Sequence, residues 1–326
     1  MTVRARMARQ PEWRRRVGRI VGHGDRPFSA LIVMATLAVL AIVATIGYEL
    51  WRNSALARAA YGWPFLWTTT WDPVFQRFGA LPFILGTLQT SLLALLLAVP
   101  VSLGIAIFLS ELAPAWLRAP LGFLVELLAA VPSVIYGLWG LYVLIPTIVQ
   151  PTATILNRGL GFLPLFTGPV YGPSRLAASL ILAIMITPTI SAVSRDVFRA
   201  IPQSQREASL ALGATQWETI WRVLIPYGLS GILGAVILGL GRALGETMAV
   251  TMVIGNNLDL TPSLLHPGYT MASIIVNEFT EATYDLYLHA LVEIGLILFV
   301  LTLLLNLLAR LLVWSVARRV PQEVRA

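Results

Sequence analysis

Within the apolar run Gly239-Leu240-Gly241-Arg242-Ala243-Leu244-Gly245-Glu246-Thr247-Met248-Ala249-Val250, an arginine and a glutamate stand four residues apart. A helix predicted over about Tyr227 to Ile254 puts Arg242 roughly 22 Å from Tyr227, near the middle of a bilayer. An arginine at that depth costs about 2.5 kcal/mol or more unless it meets a polar interior or a partner. The spacing gives Glu246 the same helix face, although Arg before Glu is the less favourable order for a helical pair. Two roles fit. One is a buried ion pair that holds this helix to its neighbours, with Gly241 and Gly245 in GxxxG spacing for close contact. The other is an anion pathway, because a guanidinium offers a planar donor fork and keeps its proton. A carboxylate beside it repels anions, except one that still carries a proton to donate. Phosphate near neutral pH carries such a proton and sulfate does not. Ionisable residues at this depth are functional by default, which favours the pathway. A dinucleotide fingerprint is excluded by the glycine spacing and the apolar helix.

The elements that position this pair are membrane helices. Of 326 residues, 57% are hydrophobic and only 12% charged, against about 25% charged in soluble proteins. Six spans are predicted from runs lacking free charges: Phe28 to Tyr48, about Ile84 to Leu109, Leu121 to Ile145, Leu176 to Ser194, Tyr227 to Ile254 and Tyr287 to Trp314. Pro100, Pro132 and Pro188 fall inside predicted helices, as packed bundles tolerate. The first apolar stretch is longer than a signal-peptide core and lacks a clear small-residue cleavage site, so it is expected to be an uncleaved anchor. The fold class is all-α and the expected organisation one domain: a transmembrane domain over 28–314, with arginine-rich cytoplasmic tails at 1–27 and 315–326.

All 23 basic residues are arginine. With both termini cytoplasmic, seventeen face inside: eight before the first span, Arg118, four between spans four and five, and four from Arg310 onward. Arg52, Arg58, Arg77, Arg158 and Arg175 face outside. That bias sets the orientation and accounts for the net charge of +7 without nucleic acid. Arg14-Arg15-Arg16 can also touch anionic lipid. Trp51, Trp63, Trp67 and Trp71 in the first outer loop are expected at the membrane interface. The Gly-, Pro- and aromatic-rich connection from Thr147 to Arg175 is expected to fold over the outer mouth.

The absence of lysine excludes a P-loop ATP site in this chain. The absence of cysteine excludes disulfides and Cys-based metal or redox sites, and no cofactor or metal is expected. Glu126 and Glu293 fall within predicted spans, with His289 near an end of one, and are read as packing or interface residues.

Between spans four and five, about 195–226, the pattern changes. Ser204-Gln205-Arg206-Glu207 has capping-box spacing and predicts a helix through Leu212, with Gly213 as its stop. Thr215-Gln216-Trp217-Glu218 is a second capping box, predicting a helix to Pro226. There Trp217, Ile220, Trp221 and Leu224 fall at i, i+3, i+4 and i+7 as an apolar stripe. An interfacial cap on the bundle and a docking element both fit.

Glu207-Ala208-Ser209, then Gly213 four residues on, then Val223-Leu224-Ile225-Pro226, resemble the EAA loop of ABC-importer permeases. Ser209, Val223 and Ile225 replace the usual Ala, Ile and Leu. The resemblance implies a coupling helix seated on a cytoplasmic ATPase, with Glu207, Ala208, Ser209, Gly213 and Trp217 at the contact. Gly239 to Gly255, Val131-Pro132-Ser133-Val134-Ile135-Tyr136-Gly137-Leu138-Trp139-Gly140 and Phe78 to Pro114 look like the PstC family of phosphate-importer permeases, and the likeness extends from Phe28 onward. It implies a six-span type I importer fold in the inner membrane, non-catalytic and working by alternating access. It also implies a PstA-like sister permease, two copies of a PstB-like ATPase and an outer phosphate-binding protein. In that family the fifth-span Arg and Glu are implicated in phosphate passage, which here falls on Arg242 and Glu246, with Thr247 and Ser133 completing the expected lining. Import of another oxyanion and an ATP-independent secondary anion transporter are the alternatives. The latter predicts no docking loop.

Overall fold

The computed structural model describes the backbone of residues 12–319 and the side chains of residues 28–315. Of the expected terminal tails, residues 1–11 and 320–326 lie outside the described residues, and the backbone of 12–27 is helical and continuous with the first span. The chain divides into two compact units, one ending at Arg52 and one beginning at Asn53. The first contains helix α1 (Glu12–Asn53), whose apolar part is Phe28–Asn53. Thr36 and Thr45 turn their hydroxyls back to the carbonyls of Ile32 and Ala41, at 2.9 and 2.8 Å, which satisfies them within an apolar helix.

The second unit contains α2 (Ala55–Tyr61), α3 (Leu81–Leu112), α4 (Ala115–Ala130), α5 (Ser133–Leu160), α6 (Arg175–Ala200), α7 (Gln203–Ala211), α8 (Gln216–Gly245), α9 (Met248–Val253), α10 (Met271–Glu278) and α11 (Asp285–Arg319). Among the described residues there are no strands, only two isolated backbone bridges. Six helices are long and apolar enough to cross a membrane: the apolar part of α1, then α3, α5, α6, α8 and α11.

Helix α6 is the centre of the second unit. It packs against α3, α8 and α4, and small side chains (Ala177, Ala178, Ser179, Ala183, Ser191, Ser194) let its neighbours approach closely. Ser174 caps it by accepting from the Ala177 amide at 3.2 Å. Pro100 and Pro188 stay inside α3 and α6 as expected, and Ser102 donates across that contact to the Thr187 carbonyl at 3.2 Å.

The third span differs from the sequence expectation. Leu121 to Ile145 is not one helix, because the chain breaks at Val131-Pro132, both extended, and restarts at Ser133. Proline lacks the amide that would continue α4 and disfavours the helical conformation in the residue before it. The helix then runs to Leu160, well into the expected loop. Beyond it, Leu264 donates its amide to the Leu165 carbonyl at 2.8 Å and Ser263 its hydroxyl to the Thr167 carbonyl at 2.7 Å.

The four loop tryptophans also divide. Trp63 and Trp67 are exposed, as interfacial residues should be, but Trp71 is buried with Phe78, Phe83 and Tyr287. Its indole N–H and the Tyr287 hydroxyl both donate to Glu278 Oε2, each at 2.6 Å. Arg175, read as an outward topology marker, is likewise buried. Its guanidinium donates to the backbone carbonyls of Asp259, Thr261 and Ser263, pinning the loop that carries them to the start of α6.

Candidate anion pathway and docking surface

Arg242 and Glu246 do not share a continuous helix. α8 ends at Gly245, Glu246 is extended (φ −70°, ψ 129°), and α9 restarts at Met248. Glycines at 239, 241 and 245 weaken the end of α8, since glycine costs about 1 kcal/mol against alanine in a helix. The expected same-face relation is thus corrected by a break. Each side chain has its own partner. Arg242 Nη1 donates to the Thr189 hydroxyl on α6 at 3.0 Å, and Glu246 Oε1 accepts from the Ala249 amide at 3.3 Å. Among the described residues Arg242 makes no ion pair. Both are half-buried, as is Thr247, whose hydroxyl donates to the Gly245 carbonyl at 3.2 Å.

The second break lies alongside. Gly137 is so close to α9 that a Cβ there would fall 3.1 Å from Ala249 Cα and 2.6 Å from Met252 Sδ. Ser133, one turn before Gly137, opens α5 on the same face. The interruption at Pro132 and the interruption at Glu246-Thr247 therefore sit side by side. Tyr136 spans the first, donating to the Leu128 carbonyl of α4 at 2.8 Å. Non-helical backbone at membrane depth is tolerated only where protein buries it or it lines an aqueous cavity. Broken helices are where membrane transporters place substrate sites. Thr189 carried no signal in the sequence, because only packing of α6 on α8 brings it to Arg242.

At the loop between spans four and five, the second capping box forms. The Thr215 hydroxyl accepts from the Glu218 amide at 3.2 Å, and Glu218 Oε2 accepts from the Thr215 amide at 2.9 Å. The first does not: Pro202 occupies the N-cap and Ser204 lies inside α7. Glu207 is exposed and makes no cap. Gly213 ends α7 with φ +86°, the left-handed conformation expected of a glycine stop. The expected second short helix does not end at Pro226. Instead α8 runs unbroken from Gln216 through a π-helical turn at Ile220–Leu224 into the fifth span.

The apolar stripe splits across that turn. Ile220 and Leu224 are 1% exposed in a core with Ala106 and Phe198, whereas Trp217 and Trp221 are 59% and 53% exposed and pack edge to face, centroids 5.6 Å apart. Leu210 and Leu212, at the end of α7, are exposed as well. This end of the bundle thus offers apolar, aromatic and acidic side chains together. It is held rigidly. Arg206 grips Glu111 at the end of α3 and also donates to the Phe198 and Ile201 carbonyls, at 2.6 and 2.7 Å. Ser209 and Thr219 share a 2.9 Å hydroxyl bond.

The binding-protein-dependent transport system inner membrane component family matches residues 98–321. The phosphate transport system permease protein PstC of Xylella fastidiosa (strain Temecula1) is 45% identical over 90% of this chain and 92% of its own length. That of Mesorhizobium japonicum is 47% identical over 90% and 91%. The chain belongs to the PstC family. Among solved structures, a bacterial ABC transporter involved in import of the acidic polysaccharide alginate aligns with TM-score 0.60 at 18% identity, over 94% of this chain and all of that one. The MetNI methionine ABC transporter aligns with TM-score 0.52, over 71% and 93%. The fold is that of a type I ABC importer permease, a multi-pass inner-membrane protein.

Of the other intramembrane candidates, Glu126 lies on α4, before the Pro132 break. Its Oε1 accepts from Arg195 Nη2 at 2.7 Å, a packing role. Glu293 is buried on α11, and among the described residues neither its Oε2 nor Nδ1 of His289 one turn away makes a hydrogen bond.

Proposed function

We propose that the chain is the permease subunit of an ATP-driven inorganic phosphate importer, with both termini cytoplasmic and residues 28–314 forming the transport domain. The observation that carries the proposal is the paired helix break, beside which Arg242 is held by a neutral hydroxyl and keeps its charge for an anion. Arg242 engages phosphate oxygens through its fork. Glu246 accepts the hydrogen bond of the proton that phosphate retains near neutral pH, and Thr247 and Ser133 line the passage. The relatives, named as phosphate transport permeases, support phosphate over other oxyanions.

A PstA-like permease completes the pathway, two PstB-like ATPases supply the energy this lysine-free chain cannot, and an outer binding protein delivers phosphate. The surface formed by Glu207, Ala208, Ser209, Gly213 and Trp217 receives the ATPase. Closure of the ATPases on ATP pushes that surface and opens the spans outward, and they reopen inward after hydrolysis. An ATP-independent transporter has no use for such a surface, which counts against that alternative.

Radiolabelled phosphate uptake in cells carrying Arg242→Ala or Glu246→Ala tests the pathway. Both are expected to lose most uptake while the protein remains in the membrane, and normal uptake in both would sink the assignment. Excess unlabelled sulfate should leave wild-type uptake intact; strong competition would favour the broader oxyanion reading.

A further inference from the structure

A cleft of about 320 Å³ lies between α4 and α6, separate from the helix breaks. Arg118, Gly122 and Glu126 contribute from α4 at i, i+4 and i+8, so they share one helix face. Arg195 and Arg199 contribute from the last turns of α6, and Phe123 forms an apolar wall. Arg195 is six residues, roughly 9 Å, further along α6 than Thr189, toward the docking end.

Gly122 makes room for this arrangement. A Cβ there would stand 2.7 Å from Arg195 Nη1. Arg195 is only 7% exposed, yet its one close carboxylate is Glu126 at 2.7 Å, with the exposed Asp196 at 3.6 Å from Nε. That Nε has no hydrogen-bond partner among the described residues. Arg118 uses Nε on the Ala113 carbonyl at 2.7 Å, and among the described residues its terminal nitrogens make no hydrogen bond or ion pair. Arg199 is exposed and makes no ion pair among the described residues. Three guanidinium groups thus converge on one cleft against a single lining carboxylate.

We propose that this cleft binds the phosphate group of an anionic ligand, supplied either by a phospholipid headgroup or by free inorganic phosphate. Guanidinium forks match phosphate oxygens geometrically, and three of them suit a group with several acceptor oxygens better than a two-oxygen carboxylate. Exposed Phe123 on the cleft wall, and exposed Trp116 two residues before Arg118 on α4, give this end of α4 the aromatic and apolar character of a bilayer interface. The cleft and its arginines are independent of the Arg242 pathway.

The test uses the full chain with its partner subunits in phosphatidylcholine nanodiscs, in an Arg242→Gln background that removes the pathway arginine. One arm titrates inorganic phosphate calorimetrically. The other adds phosphatidylglycerol to the discs and counts lipid retained after detergent extraction by native mass spectrometry. Binding in the first arm alone assigns free phosphate, and in the second alone a lipid headgroup; either supports the site. Arg118→Gln with Arg199→Gln should weaken that binding about tenfold or more, because two charge-assisted contacts are lost. If the double variant fails to assemble, Arg199→Gln alone, at an exposed position, should weaken it about threefold. No binding in either arm, or binding unchanged by these substitutions, overturns the proposal.

Discussion

Arg206 and Glu111 form a two-bond clasp, Nε to Oε2 at 3.0 Å and Nη2 to Oε1 at 2.9 Å, between side chains only 17% and 10% exposed. The clasp joins α7 to the end of α3, and Gln216 reinforces it by donating to the Glu111 carbonyl at 3.2 Å. A force applied at α7 therefore passes into α3, and through it to α6. Each half of this clasp is nearly dry, so losing one partner strands a charge.

Glu111→Gln or Arg206→Gln should each lower stability by about 2 kcal/mol, the scale of hydrogen bonds to charged groups. The double variant should cost less than the sum of the two. A double-mutant cycle on thermal unfolding of the detergent-solubilised protein checks this, and simple additivity would show that the two residues act separately.

Thr189→Val removes the hydroxyl that orients Arg242 without touching its charge. Phosphate uptake should fall about fivefold, equivalent to about 1 kcal/mol of lost positioning. Thr189→Ser should restore it. An uptake rate unaffected by Thr189→Val would mean that Arg242 acts unaided or not at all.

Gly213→Pro should abolish co-purification of the partner ATPase while leaving membrane insertion intact. The native φ of +86° is out of reach for proline, whose φ is held near −65°. The Gly213 amide also donates to the Leu210 carbonyl at 2.9 Å, a bond proline cannot make. Nothing crowds Gly213, so the effect comes from backbone conformation and not from bulk. Retained ATPase would argue against this loop as the docking element.

Glu278→Gln keeps the shape of the outer cluster but removes the charge that holds both the Trp71 N–H and the Tyr287 hydroxyl. A loss of about 1–2 kcal/mol is expected from weakening two charge-assisted bonds. Faster limited proteolysis at the outer loops, with phosphate uptake retained per folded molecule, is the corresponding readout.

Much of the architecture is legible in the residues alone. Long uncharged runs can only be satisfied as helices in a bilayer, so the spans and the membrane class follow from composition. Arginine placement points to an orientation, and the Thr215–Glu218 box and the Gly213 stop formed as local rules require. Such features depend on groups a few residues apart. Where the sequence misled, tertiary context won. Ser204 had capping spacing, but Pro202 took the cap. Glu246 had the spacing to face Arg242, but a glycine-weakened helix end and a neighbouring break made the extended conformation acceptable. Trp71 and Arg175 had the types of surface markers, yet packing buried both where acceptors were waiting. Periodicity says which face of a helix is apolar; it does not say which other helix arrives there. Thr189 beside Arg242, Glu111 under Arg206, and three arginines around one cleft were decided only when helices far apart in sequence packed together.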